Sequence, residues 1–113
     1  MGGRGSSGVK SRAANWSLAR VGRLASGNRQ GMTVEQEYQA KEVRGEYSAQ
    51  DFAVARQAGF AHPRDYQASI TRDIAARGQV NPARVSEGAL DEGFHRYAAA
   101  RQLGKRSMAV RES

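Results

Sequence analysis

A chain of 113 residues has room for one small domain with a modest core. It contains no cysteine, which excludes a disulfide framework and any cysteine-based zinc site, and two histidines make a poor metal cluster. The net charge of +7 is unevenly placed: residues 1–31 hold Arg4, Lys10, Arg12, Arg20, Arg23 and Arg29 with no acid, whereas residues 32–113 hold 12 cations against 11 anions.

The first 31 residues also carry seven of the 13 glycines and five serines. This composition predicts a basic, flexible arm that buries too little apolar surface to offset its ordering entropy. Such an arm suits phosphate backbones, and Trp16 within it suits stacking on a base or a partner. The next segment, 32–47, reads as helix and linker. Thr33-Val34-Glu35-Gln36 fits a capping box, Glu35 and Glu37 open the helix, Lys41 and Arg44 close it, and Gly45 stops it. The folded domain is then expected over 48–113. Ser48-Ala49-Gln50-Asp51 is a second N-cap signal, with helix from Phe52 to Ala58 and a stop at Gly59. Phe52–Arg56 also fits an alternating strand, so the caps and the alternation disagree there, with the caps preferred.

The spacing of Tyr66, Ile70, Ile74 and Arg77 predicts a helix over 66–77 stopped by Gly78. Gln79-Val80-Asn81-Pro82 reads as a turn. Strands are expected at Ala83–Ser86, Ala89–Glu92 and Ser107–Val110, with a reverse turn at Glu87-Gly88 between the first two. The fold class is therefore α+β, a short mixed sheet with flanking helices. Tyr97, Leu103 and Ile74 are expected in its core.

Between the last two strands lies Gly93-Phe94-His95-Arg96-Tyr97, a tight turn leading into a helix that stops at Gly104. Glycine permits a close backbone approach, and the free N–H groups of the following turn suit a phosphate. His95 adds a titratable donor and Arg96 a planar cation. The plain alternatives are a packing role for His95 and a surface ion pair of Arg96 with Asp91 or Glu92.

The order of these pieces resembles the ParB/sulfiredoxin-like superfamily. The matching pieces are His62-Pro63-Arg64, the helix over 66–77, Gly78, Asn81-Pro82 and Asp91-Glu92-Gly93-Phe94-His95-Arg96-Tyr97, spanning about residues 60–111. The resemblance implies a phosphate or nucleotide grip from Gly93, Phe94, His95 and Arg96, with Arg64, Gly78 and Asn81 lining the pocket. It implies CTP or ATP with magnesium as cofactor, and it favours a strand before Pro63. Phe94 stands where sulfiredoxins carry their cysteine and ParB proteins their loop glutamate, so sulfiredoxin chemistry is excluded.

The expected function is a phosphate- or nucleotide-binding protein acting with DNA or a nucleoprotein complex. One alternative is a non-enzymatic phage protein, either a virion component or an inhibitor of a host defence complex. The opening Met-Gly-Gly-Arg-Gly-Ser-Ser-Gly resembles the start of many phage-encoded proteins. A further alternative is a small phosphotransferase or nuclease, for which Asp65, Asp91 and Glu92 are the available acids. With no apolar run near the roughly 18 residues of a bilayer span and no apolar signal core, the expected location is the cytoplasm of a bacterial host or a virion.

Overall fold

The computed structural model describes residues 12–113. In chain order these form β1 (Ala13–Ser17), α1 (Leu18–Gly22), β2 (Ala25–Ser26) and α2 (Val34–Tyr38), which runs on through a π-helical turn at Gln39–Val43. They continue as α3 (Ala49–Gln57), α4 (Pro63–Arg77), β3 (Ala83–Ser86), β4 (Ala89–Glu92), α5 (Phe94–Gln102) and β5 (Ser107–Glu112). The strands make one mixed sheet in the order β1-β5-β3-β4-β2. β1 pairs antiparallel with β5, β5 parallel with β3, β3 antiparallel with β4, and β4 parallel with β2. No helix among the described residues is long and apolar enough to cross a membrane.

The local signals explain most boundaries. Thr33 and Gln36 exchange hydrogen bonds as a capping box, and Ser48 and Asp51 do the same at α3. Residues 52–56 are therefore helix, not the strand that the ParB-like pattern favours. α4 begins earlier than its periodicity suggests, because Pro63 sits at its first position and His62 Nδ1 accepts from Arg64 N at 3.0 Å. Gly78 ends α4 at φ +79°. The turn that follows is held by Gln79, whose side chain accepts from Ala109 N at 2.9 Å and donates to Ala109 O at 3.0 Å. That amide extends the sheet where β3 has not yet begun.

The core lies on one face of the sheet. Trp16, Ala83, Val85, Leu90, Met108 and Val110 project from the strands against Leu18 and Val21 of α1, Val34 of α2, and Phe94, Tyr97 and Ala98 of α5. α4 covers α5 from outside, and α3 lies against α4. Tyr97 is in the core as expected, but Ile74 is half-buried and Leu103 is exposed, because α5 shows its far face to α4 and its last turn to solvent.

The expected arm requires a correction. Residues 13–26 are folded and supply both edge strands, so the domain begins well before residue 48. Trp16 is buried opposite Met108 in the β1–β5 register. Glycine and serine content weakens a segment taken alone, but a distant strand supplies the backbone partners and apolar cover that this one lacks. Trp16 gains its burial, and all five residues of β1 their strand partners, from β5, ninety or more positions away. Arg4 and Lys10 lie outside the described residues.

Candidate functional site

The candidate site is a cavity of about 290 Å³ at the start of α5. Its wall is built by Gly93, Phe94 and His95 from the loop, Lys41 and Glu42 from the π turn, Tyr47, Asp51 and Val54 around α3, and Tyr66 of α4; Asp91 and Glu92 stand at its edge. A π turn inserts one residue into a helix and commonly re-aims side chains at functional places. Here it carries Lys41 and Glu42.

The loop itself is tightly constrained. Gly93 has φ +126°, and a Cβ on it would lie 2.5 Å from Ala83 Cβ. This close approach to β3 turns the chain into α5. Tyr97 N donates to Gly93 O at 2.9 Å as the first bond of the helix, so the N–H groups of Phe94, His95 and Arg96 have no helical partner. α1, α2, α3 and α4 each have a side chain accepting at their N-terminus, whereas α5 has none. Nearby, Tyr47 Oη is shielded from solvent, with the Arg64 side chain beside it. Burial, and then the Glu42 carboxylate, pushes that hydroxyl up, so Tyr47 stays a neutral donor at physiological pH.

Lys41 is the buried cation of the cavity. Its side chain is 7% exposed; its Nζ donates to Glu37 Oε2 and, at 2.9 Å, to Asp51 Oδ1. The ammonium also lies 4.6 Å from the Phe94 ring centroid. Glu37 is 1% exposed and accepts from Ser26 Oγ at 2.6 Å, which ties β2 to α2. Burial works against the Asp51 carboxylate, but the Ser48 N–H and Lys41 outweigh it and hold its carboxyl below the usual range.

His95 is fixed by a chain of side-chain bonds. Its Nδ1 lies 2.7 Å from Gln67 Oε1, while Gln67 Nε2 donates to His95 O at 3.0 Å and to Thr71 Oγ1 at 3.2 Å. Thr71 donates to Gln102, and Gln102 to Glu42 Oε1. With Gln67 Oε1 as acceptor, Nδ1 carries the proton and Nε2 is the free acceptor of the ring. Burial, and then the charge of Lys41, holds the imidazole below its ordinary value of 6.5. The folded state thus binds the His95 proton less readily than the unfolded chain does. Its contribution to stability is complete above about 6.5 and is lost as pH falls through the folded value. Urea unfolding at pH 7.5 and 5.5 is expected to show this loss, and the His95→Gln variant is expected to show a smaller loss over the same interval. An equal loss in both proteins would assign the acid sensitivity elsewhere.

The expected site residues divide. Gly93, Phe94 and His95 line the cavity. Arg96 does not, because the helical turn carries it to a separate groove shared with Gln79, Lys105 and Ala109. There its Nη1 is shielded and has no hydrogen-bond partner, with Glu92 Oε1 4.0 Å away. Arg64 is exposed, with its guanidinium 5.9 Å from the Tyr47 ring centroid. Gly78 ends α4, and the Asn81 carbonyl accepts from Gln79 at 2.8 Å; neither lines the cavity. Among the arm residues, Trp16 is in the core with Arg20 stacked 3.4 Å from its ring centroid, which leaves no open face for a base. Arg29 Nη2 donates to Glu46 O at 2.9 Å, and Arg12 and Arg23 are exposed.

The sequence reading missed Lys41, Glu37, Tyr47, Asp51 and Gln67 as members of the site. One signal was present: Glu37 and Lys41 are four residues apart in the same helical pattern as the apolar Val34 and Ala40, so a charged pair occupies a face bound for the interior. Among the described residues no group of three or more His, Cys, Asp or Glu is placed to hold a metal ion. Comparison with protein-family models, curated proteins and solved structures finds no match.

Proposed function

We propose that the protein is a nucleotide-binding module whose ligand occupies the cavity at the start of α5. The observation that carries this reading is an uncapped helix N-terminus that opens on a concave, aromatic-walled surface. Free N–H groups and the positive end of a helix favour phosphate. The aromatic walls from Tyr66 and Phe94 favour a flat base, and the carboxylates of Glu42 and Asp51 favour sugar hydroxyls or amino groups. The ParB/sulfiredoxin-like resemblance supports CTP and ATP as the first ligands to try.

The test is calorimetric titration of the full chain with CTP, ATP and ADP, each with magnesium. Saturable binding of at least one is expected. Val54→Trp, which places a large ring on the cavity wall, is expected to abolish it. Gln50→Trp, at an exposed lining position of α3, is a second block that spares the interior. Arg96→Ala is expected to keep the affinity within about threefold, because Arg96 faces a different groove. The reading is overturned by the absence of saturable heat with all three nucleotides, or by binding that both blocking variants leave intact.

A further inference from the structure

The charge of this molecule is sorted in space as well as along the chain. Residues 12–34 carry four cations and no acid, and residues 93–111 carry five cations and no acid. The intervening residues 35–92 hold seven cations against ten anions. In the fold the two acid-free stretches meet. β1 pairs with β5 from Ala13–Arg111 to Ser17–Ser107, and Leu18 N donates to Arg106 O at 2.9 Å where α1 begins. Arg23, Arg101 and Lys105 surround one groove, and Lys105 and Arg96 share the next. Glu35 is the single acid lining either groove; it accepts from Tyr97 at 2.7 Å and pairs with Arg101, so its charge is already matched. Arg20, Arg23, Lys105 and Arg106 are exposed where the two stretches meet; Arg111 alternates with the core-facing Met108 and Val110, so it stands on the other face of the sheet, beside the exposed Glu112.

We propose that this face binds the phosphate backbone of duplex DNA without sequence preference. The inference does not depend on the cavity reading, since the cavity is lined mainly from the acid-rich segment. Charge complementarity selects a polyanion, because clustered cations that outnumber their neighbouring acids release counterions when they meet phosphates. The duplex is selected over single strands because the face offers no stacking platform. Its tryptophan is buried and covered by Arg20.

Fluorescence anisotropy of the full chain with a labelled 20-base-pair duplex, over a salt series, tests the proposal. The triple variant Arg23→Gln, Lys105→Gln, Arg106→Gln is compared with a charge-matched control, Arg56→Gln, Arg72→Gln, Arg77→Gln, drawn from exposed positions of α3 and α4. The first variant is expected to lose at least about tenfold in affinity and to flatten the slope of log K against log salt by roughly 2 to 3. The control is expected to stay within about threefold. Equal losses in both variants would reduce the effect to net charge and overturn the assignment of the face. So would the absence of duplex binding at low salt, tighter binding of a single strand, or stronger binding of an acidic peptide competitor than of the duplex.

Discussion

Gly93→Ala is expected to lower the free energy of unfolding by about 3–5 kcal/mol, through steric overlap and backbone strain together. The new methyl group would sit 2.5 Å from Ala83 Cβ and 3.1 Å from Ala83 Cα, and φ at this position is +126°. β3 cannot retreat, because Val85 and Ala83 are both buried between the sheet and α5. Urea denaturation measures the loss. Gly88→Ala is the control: φ there is +79°, but nothing lies within 4 Å of the added Cβ. It isolates backbone strain, at about 1–2 kcal/mol. The double variant Gly93→Ala, Ala83→Gly should recover part of the deficit by removing one methyl from the collision, whereas Gly88→Ala with Ala83→Gly should simply add. Equal costs at the two glycines would mean that contact with Ala83 is unimportant and that the loop is set by turn chemistry alone.

Lys41→Met is expected to cost about 3–5 kcal/mol, the range for removing one partner of a buried charge cluster. Two carboxylates then remain without their cation, Glu37 at 1% exposure and Asp51 at 17%. Ser26 still donates to Glu37 and Ser48 N to Asp51, but neither neutralises charge. The triple variant Lys41→Met, Glu37→Leu, Asp51→Asn should be more stable than Lys41→Met alone, because the uncompensated charges are gone. Asp51 adds a pH signature. Its carboxyl is held below the usual range, so the stability it supplies is present above its unfolded value and is lost as pH falls through the folded one. Lys41→Met should weaken that acid-driven loss. A cost below about 1 kcal/mol for Lys41→Met would show that the cluster is solvated in solution and that the cavity has no buried cation.

Much of the architecture was legible because short-range rules act alone where they are strong. Ser48 with Asp51, Thr33 with Gln36, and the glycines after α4 and α5 mark helix ends by hydrogen bonds within four residues. Glu87-Gly88 marks a hairpin by turn chemistry, and β3 and β4 fall on either side of it where they were expected. The site was half legible. Gly93, Phe94 and His95 could be picked out because a glycine before a helix has a local meaning. Arg96 could not be placed, because one residue of helical rotation decides which side of the loop it serves. Tyr47, Lys41 and Asp51 have ordinary local contexts and acquire meaning only from each other.

The sequence by itself determined the α+β class, the capped helices, the hairpin and the turn into α5, because each is set by neighbours along the chain. Tertiary structure alone decided that residues 13–26 belong to the sheet, that Glu37 and Lys41 are interior, that Arg96 leaves the cavity, and that two acid-free stretches lie side by side as β1 and β5. Those outcomes depend on pairings such as Trp16 with Met108, whose burial comes from a partner far along the chain.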